Sequence, residues 1–393
     1  MSPEELSARV RQLVADHPPS TTDPREFLGA RFDAGLAWVY FPPGYGGLGL
    51  PRHLQQHVDT ELAAAGAPPV DTGLNGIGLG MAAPTIAAVG TAEQQRKFLR
   101  PLFTGDDIYC QLFSEPGAGS DLAGVSTRAV RDGDDWIVNG QKVWTSSAHH
   151  AKLALLVART DPTVPKHQGL TYFLADMTDP GVEVRPLRQI TGEAEFNEVF
   201  LTDVRVPDAN RLGPVGGGWK VATTTLNSER LAIGSILGSE REGPIVAKVA
   251  DAWRNEPDLR NPAMHDELMR LWVDAEVARL TGERLRQQLS IGQLGPEGAG
   301  LKITFARLAQ AISGFGVELH GESGLRYDEW TMRRTERVDF TARGPGYRYL
   351  RAKGTSIEGG TSEILRNTIA ERILGLPGEH RVDKDVAWKD LNK

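Results

Sequence analysis

Four stretches of the chain hold residue types that could do chemistry. Residues 111–121 read QLFSEPGAGSD, with Gly117 and Gly119 set among Ser114, Glu115, Ser120 and Asp121. Small residues there let backbone amides approach a ligand closely, and the hydroxyls supply hydrogen-bond partners. Residues 143–151, VWTSSAHHA, put the indole of Trp144 beside Thr145, Ser146 and Ser147. A flat apolar wall flanked by hydroxyls, next to an open glycine loop, suits a large planar ligand with polar edges. Residues 226–237, LNSERLAIGSIL, place a carboxylate and a guanidinium side by side. On a helix Glu229 has Ala232, Ile233 and Ile236 at i+3, i+4 and i+7, and Arg230 lines up with Leu226, Ile233 and Leu237. Both charges therefore point toward the apolar side. Either their heads reach solvent from the edge of the stripe, or they serve a site, because an uncompensated charge there is costly. Residues 356–367, SIEGGTSEILRN, set glycines ahead of a helix that Thr361 or Ser362 can cap, a place where free amides can hold an anion.

Other motifs carry less. GYGGLG at 44–49 satisfies G-x-G-x-x-G, but Pro42-Pro43 separates it from the apolar run before it and no second strand completes a βαβ unit. His53 and His57 stand i, i+4 without a third ligand at a recognisable spacing, so they read as solvated histidines and no metal site is expected. The chain has neither a GxxxxGK(S/T) loop nor a GxSxG elbow.

The elements that must position these residues show two changes of period. Residues 1 to about 105 are helical in pattern, broken by Pro and Gly at 18–19, 42–51 and 66–69. From about 108 to 215 short β-rich runs follow one another: WIVNGQKVW, LALLVART, LTYFLADM, VEVRPLRQI and NEVFLTDVRVP. Asn139-Gly140 in the first of these predicts a tight hairpin turn. No long helical segment separates the runs, which favours an antiparallel barrel or sandwich over a doubly wound parallel sheet. After GPVGGGW at 213–219 the helical period returns. Leu301, Phe305, Leu308, Ile312, Phe315 and Leu319 form one apolar stripe, and Met264, Leu268, Leu271, Ala275 and Ala278 another, opened by Asn261 and Pro262. Stripes of this kind bury against one another in a bundle. The predicted order is thus α+β multidomain: an N-terminal all-α domain over 1–107, a middle antiparallel β-barrel or sandwich over 108–216, and a C-terminal helical bundle over 217–393.

At 393 residues the chain exceeds one ordinary core. A net charge of −7 argues against a nucleic-acid footprint, and Cys110, the single cysteine, excludes an internal disulfide. Residues 73–90 are nearly all small or apolar, but four early glycines and Pro84 read as a buried, closely packed segment and not a membrane span. The start, MSPEELSARVRQL, reads as an ordinary helix. A cytoplasmic, bacterial protein is the expectation.

From YGGLGL to ERILGLP the chain resembles the acyl-CoA dehydrogenase family of flavoenzymes, most specifically at EPGAGSD, at Trp144-Thr145-Ser146 and at GTSEI. The resemblance implies a three-part helical, β and helical-bundle fold, an FAD, an acyl-CoA substrate dehydrogenated between Cα and Cβ, and electrons passed to an electron-transfer flavoprotein. It implies that Gln111, Phe113, Ser114, Gly119, Ser120, Trp144, Thr145 and Ser146 line the flavin. Gly360, Thr361 and Glu363 would close over its adenine side. Ser120, Asn227, Arg230 and Gly359 would contact the acyl-CoA. Family members carry the base at one of two positions. One is the residue before the G of G-T-(S/A)-E/Q, here Gly359, so that Glu358 would have to reach around the backbone. The other is the residue before the Arg of the bundle's first helix, here Glu229, which is favoured. The chain departs from the family in lacking R-x-x-F-G near DAWRNEPDLRNP and in carrying Glu318-Leu319-His320-Gly321-Glu322 for Q-x-x-G-G. Both departures fall on the adenine half of the flavin. The resemblance also implies a homo- or hetero-oligomer, a dimer or tetramer. Two rivals stay open: a flavin monooxygenase or oxidase on the same fold, and a non-catalytic subunit of a heteromeric enzyme.

Overall fold

The computed structural model describes residues 1–236, 244–291, 296–327, 329–334 and 343–391; the side chains of 229–236, 244–245, 286 and 289–291 also lie outside the described residues. The chain divides into two compact units. The first comprises Met1–Pro186, Phe196–Ser228 and Val382–Lys393; the second, Leu187–Glu195 and Glu229–Arg381.

The first unit opens with helices α1 (Pro3–Asp16), α2 (Pro24–Asp33) and α3 (Leu54–Ala64). Ser2 and Glu5 form a reciprocal capping box on α1, and Asp23 accepts from the first amides of α2. Leu6, Val10, Leu13, Phe27, Val58 and Leu62 bury the faces of the three helices against one another. The GYGGLG segment is a folded turn and not the start of a nucleotide-binding helix. Gly44, Gly46 and Gly49 take positive φ, and a Cβ on Gly47 would come within 2.1 Å of the Phe41 carbonyl. His57 is more than solvated: it bonds the Ser7 hydroxyl at 2.8 Å and pairs with Glu61 at 3.4 Å. Among the described residues no group of three or more His, Cys, Asp or Glu could hold a metal ion.

Next come α4 (Thr72–Ile77), a π-helical turn at Gly78–Ala82, α5 (Ala83–Val89) and α6 (Ala92–Thr104). Residues 72–89 are the one described stretch long and apolar enough to cross a membrane. The helix is broken at Asn75, whose φ is −111°. The Asn75 side chain is buried; it donates to the carbonyls of Leu102 (2.9 Å) and Asp107 (3.2 Å) and accepts from the amide of Tyr109 (3.0 Å). Met81, Ala82, Ala83 and Ile86 then pack with Phe98, Leu99, Leu102 and Phe103 of α6. The expected buried segment is so only in part: 39% of its residues are buried, on the face that packs against α6.

The strands are β1 (Tyr109–Leu112), β2 (Arg128–Asp132), β3 (Asp135–Ser146), β4 (Leu153–Arg159), β5 (Leu170–Asp176), β6 (Val182–Pro186), β7 (Phe196–Pro207) and β8 (Arg211–Leu212). They form one sheet in the order β6-β7-β3-β2-β4-β5-β8, with β1 also on β4. The path is open at both ends, so the middle region is a sandwich and not a closed barrel. β4 is buried along its whole length. Leu153, Leu155 and Val157 face a core shared with α5 and α6, while Ala154, Leu156 and Ala158 face a second core with Trp136, Val138, Phe173, Val199 and Leu201.

Two expectations about the sheet need correction. It is not purely antiparallel: β1 runs parallel to β4 through four residue pairs, and β2 meets the far end of the same edge at Arg128–Arg159. Nor is Asn139-Gly140 a hairpin turn, since β3 runs straight through it. Gly140 is there for close approach, because a Cβ would lie 2.3 Å from the Thr127 hydroxyl. The turn that joins β2 to β3 instead uses Gly133, at φ 61°. The last long helix of this unit is α7 (Gly218–Ile236), of which residues up to Ser228 belong here. Its Thr225 hydroxyl bonds both Thr85 and the Tyr172 hydroxyl at 2.9 Å.

The second unit contains α8 (Pro244–Asn255), α9 (Pro262–Ile291), α10 (Gly298–Leu319), α11 (Gly321–Gly324), α12 (Pro345–Ala352) and α13 (Ser362–Arg372). Leu268 and Leu271 of α9 meet Leu308, Ile312, Phe315 and Leu319 of α10 around Val246 and Val249 of α8. The two apolar stripes read from the sequence face each other in a bundle. Residues after Pro186 leave the sheet, contrary to the single run VEVRPLRQI, and Leu187–Glu195 joins this unit. There the amide of Ala194 bonds the carbonyl of Arg333, and the amide of Arg333 bonds that of Gly192.

Asn75 offers a direct test of the α4–β1 junction. Asn75→Ala strands two buried carbonyls and one amide, so it should lower the free energy of unfolding by about 2–4 kcal/mol, read as a lower urea midpoint at unchanged m value.

Candidate active site

The loop from Phe113 to Thr127 leaves β1 and returns to β2, and both strands lie on one edge of β4. Its ends are therefore fixed, and what remains is to hold the span between them. Glu115 does this from inside. Its carboxylate accepts from the amides of Ser126 (2.6 Å) and Thr127 (2.9 Å), closing the base of the loop. It also pairs at 2.9 Å with Lys142 of β3, whose side chain is 0% exposed. Lys142 donates to the carbonyls of Phe113 (3.0 Å) and Val157 (2.8 Å) as well, so all three of its protons are directed. Burial by itself would raise the Glu115 carboxyl, but Lys142 and the Thr127 and Ser126 donors outweigh it and hold it below the usual range. Burial pulls Lys142 down, with Glu115 opposing.

Arg159, at the end of β4, secures the other side of the loop. It donates to the carbonyls of Ala123 (2.6 Å) and Val125 (3.0 Å). With its base locked, the loop presents Pro116, Gly117, Gly119 and Ser120 as exposed residues, while Ala118 turns inward. Nothing lies within 4 Å of where a Cβ on Gly117 or Gly119 would stand.

Trp144 faces solvent for a different reason. Between Lys142 and Thr145 the register of β3 against β7 shifts, the mark of a bulge. Trp144 takes φ 61° there, a rare conformation for a bulky residue, and its side chain is left 57% exposed with Phe196 edge-on at 5.8 Å. The amide of Val143 in this bulge bonds the carbonyl of Ser114, tying the indole to the loop. Ser146 is half-buried beside it, and Thr145 is fully buried with no hydrogen-bond partner for its hydroxyl among the described residues. Phe113 lies under the loop, edge-on to Tyr172 at 5.8 Å, and Gln111 sits in β1 opposite Leu155. An exposed indole held by backbone strain, hydroxyls beside it and open glycine backbone nearby fit the flat, polar-edged flavin that the resemblance implies. Gln111, Phe113, Ser114, Gly119, Ser120, Trp144, Thr145 and Ser146 are thus brought together in the first unit.

In the second unit Glu358, Gly359, Gly360 and Thr361 form a tight turn into α13. Gly359 and Gly360 have φ of 64° and 95°. The carbonyl of Gly360 accepts from the buried Lys302 of α10 at 2.7 Å, and Thr361 caps the helix through the amide of Ile364. Glu358 is committed to Arg351 of α12, with contacts of 3.0 and 3.3 Å. Arg351 also faces Glu195 at 3.9 Å, and neighbouring Glu193 is bound by Arg343 and the Tyr347 hydroxyl. Glu363 is exposed and pairs with Arg366. Asn227 is exposed on α7. The backbones of Glu229 and Arg230 continue that helix, but their side chains lie outside the described residues.

The reading of the sequence missed Lys142, Arg159, Lys302 and Arg351. One signal was present for Lys142. In WIVNGQKVW it stands at period two from Trp136, Val138 and Gly140, so a charge falls on the buried face of a strand, where it needs a partner. Lys142→Met, which leaves the Glu115 carboxylate buried without its cation, should destabilise the protein by about 3–5 kcal/mol at pH 7. The sign of the pH effect follows. In the parent the Glu115 value is depressed, so its contribution is complete above the unfolded value of about 4.5 and is lost as pH falls through the depressed one. In the variant the unpaired carboxyl is raised, the folded state takes up a proton first, and the deficit should shrink between pH 7 and 4. Urea unfolding across that range checks it; a deficit independent of pH would refute the pairing argument.

Comparison with known proteins assigns all three parts. The N-terminal domain of the acyl-CoA dehydrogenases matches residues 4–106, the middle domain residues 110–204 and the C-terminal domain residues 216–374. Acyl-CoA dehydrogenase FadE34 of Mycobacterium tuberculosis is 41% identical over 348 residues, 88% of this chain; the match spans 45% of that protein's length. Acyl-CoA dehydrogenase IpdE1 of the same organism is 36% identical over 353 residues, 88% of this chain and 86% of the relative. Among solved structures, the ChsE4–ChsE5 complex of Mycobacterium tuberculosis matches with a TM-score of 0.71 and 30% identity, covering 96% of this chain and 98% of that one. The Tcur3481–Tcur3483 steroid ACAD gives 0.74 and 26%, with 96% and 98% coverage. The chain belongs to the acyl-CoA dehydrogenase family.

Proposed function

We propose that the protein dehydrogenates an acyl-CoA thioester to the 2-enoyl-CoA with FAD, the electrons leaving to an electron-transfer flavoprotein. The observation that carries this reading is the exposed, strained Trp144 beside Ser146, tied through Val143 to the open Gly117–Ser120 loop. FAD, when bound, accepts a hydride from the substrate's Cβ. The chain supplies the rest. Trp144 walls the ring system, the Ser114 and Ser146 hydroxyls and the Thr145 and Gly119 backbones offer hydrogen bonds to its edges, and Gln111 of β1 and Phe113 at the start of the loop support it. Gly360, Thr361 and Glu363 belong to its adenine side.

The Cα proton goes to a carboxylate, and Glu229 is the base. A Cα–H next to a thioester is a weak acid, so the carbonyl must be polarised by hydrogen bonds as the proton leaves. The amide of Gly359 serves there, a role that needs no side chain. Ser120, Asn227 and Arg230 hold the acyl-CoA. Glu358 is a poor alternative base because its carboxylate is engaged by Arg351. The partner is a second acyl-CoA dehydrogenase chain, like or unlike this one, giving a dimer or tetramer. The two-component ChsE4–ChsE5 and Tcur3481–Tcur3483 assemblies support the unlike case.

Purified protein supplied with FAD, and with its partner chain where one exists, should be yellow. It should bleach anaerobically on addition of the right member of a panel of straight-chain, branched and steroid-linked CoA thioesters. Bleaching by none of them would favour the non-catalytic reading, and rapid oxygen consumption the oxidase reading. Glu229→Gln should still bind substrate while flavin reduction slows by about 100- to 10,000-fold, the usual contribution of a positioned base. Glu358→Gln loses a partly exposed ion pair and should slow it about fivefold or less. The reverse ranking in stopped-flow reduction would move the base to the EGG turn.

A further inference from the structure

The last described stretch of the chain, Val382–Leu391, belongs to the first unit, far in sequence from everything it touches there. It runs beside the β4–β5 connection. The amides of Trp388 and Lys389 bond the carbonyls of Val164 (2.9 Å) and Pro162 (3.0 Å), and Ala387 bridges to Pro165. Two side chains reach past that connection to the loop between β1 and β2. The Trp388 indole lies under the Arg159 guanidinium at 4.3 Å, and its Nε1–H donates to the carbonyl of Gly124 at 3.3 Å. The Asp383 carboxylate pairs at 2.6 Å with Lys166, which pairs at 2.7 Å with Asp121.

Three successive carbonyls of the loop are thereby held, those of Ala123 and Val125 by Arg159 and that of Gly124 by Trp388. Asp121, next to the exposed Ser120, is anchored through Lys166. Lys166 is almost fully buried, so the two carboxylates that flank it are the counter-charges it needs. Without Asp383 and Trp388, Lys166 loses one of them, Arg159 loses its stacked face, and Gly124 loses its donor. All three losses bear on Asp121–Val125, the segment that follows Ser120.

We propose that residues 382–391 act as a strap that fixes the Ser120–Val125 side of the cofactor loop, with Asp383 and Trp388 as positioning residues. This rests on the reading that the loop serves the flavin and CoA. The strap acts on binding more than on turnover. It presets the loop, so FAD and the CoA phosphates need not order it themselves.

The test uses Trp388→Ala, Trp388→Phe and Asp383→Asn in the full-length chain, in its oligomer, with two readouts besides activity. Hydrogen exchange of residues 117–126 in FAD-stripped protein should be about tenfold faster in Trp388→Ala and Asp383→Asn. The FAD dissociation constant, from flavin fluorescence, should rise about 5- to 30-fold, equivalent to about 1–2 kcal/mol. KM for the acyl-CoA should rise by a larger factor than kcat falls. Trp388→Phe keeps a ring against Arg159 and should recover part of the loss. Unchanged exchange in the loop with unchanged FAD affinity would overturn the strap. Faster exchange with unchanged FAD affinity would uphold the strap and overturn the flavin reading of the loop. Should Trp388→Ala show no cooperative melt, the Asp383→Asn and Trp388→Phe exchange rates decide the matter.

Discussion

Lys142 carries its ammonium to a place in the sheet where no solvent reaches it, and the arrangement of the first unit's site follows from what that charge requires. A buried cation costs several kcal/mol unless it is paired and its protons are all accepted. Glu115 supplies the pair, and the carbonyls of Phe113 and Val157 take the rest. Those partners lie on the loop and on β4, so satisfying one ammonium pins three elements at once. Glu115 in turn closes the loop by capturing the amides of Ser126 and Thr127. The residues left to face outward are the small ones. The exposed glycines of EPGAGSD are open to a ligand because the glutamate two places before Gly117 is committed inward.

The sheet must place both ends of that loop on a rigid edge, and β4 is the strand that does so. It is apolar on both faces because each face has its own core, helices on one side and the rest of the sandwich on the other. A strand buried in this way reads as a continuous apolar run, LALLVAR, and ends in the arginine that reaches back to the loop. Nearby, the bulge in β3 turns Trp144 outward. An unbulged strand would alternate Trp144 with its neighbours and leave the indole no strained conformation to hold. The strain at Trp144 and the burial of Lys142 two residues earlier are parts of one device: a fixed inner point and a displaced outer one.

Much of this was legible in the residues, and what was not has a common cause. The three-part order, the α9 and α10 stripes and the cap at Thr361 follow from period and local chemistry, which a sequence carries openly. The motif residues around Ser114 and Trp144 were found by type and spacing. Asn139-Gly140 was misread because a glycine demanded by close approach to Thr127 looks the same in sequence as one demanded by a turn. The parallel pairing of β1 with β4 was hidden because it depends on the long loop between β1 and β2 and on no feature of either strand. Arg159, Lys302 and Arg351 escaped notice for a related reason. Each is a long cation whose partners are backbone carbonyls or acids outside its own helix or strand, so nothing local marks it.

The turn at Glu358–Thr361 is held by side chains from elsewhere in the second unit. Two glycines in succession at positive φ would leave the segment before α13 loose, since neither has a side chain to pack. The second unit holds it from outside instead. Lys302 grips the carbonyl of Gly360 and Arg351 grips the carboxylate of Glu358, one on each side of Gly359. Arg351 is itself set against Glu195, within a cluster where Glu193 is bound by Arg343 and Tyr347. With its flanks fixed, Gly359 offers only its backbone, which is enough to polarise a carbonyl and insufficient to abstract a proton. The turn therefore has its one carboxylate engaged and its Gly359 backbone held between two anchored residues.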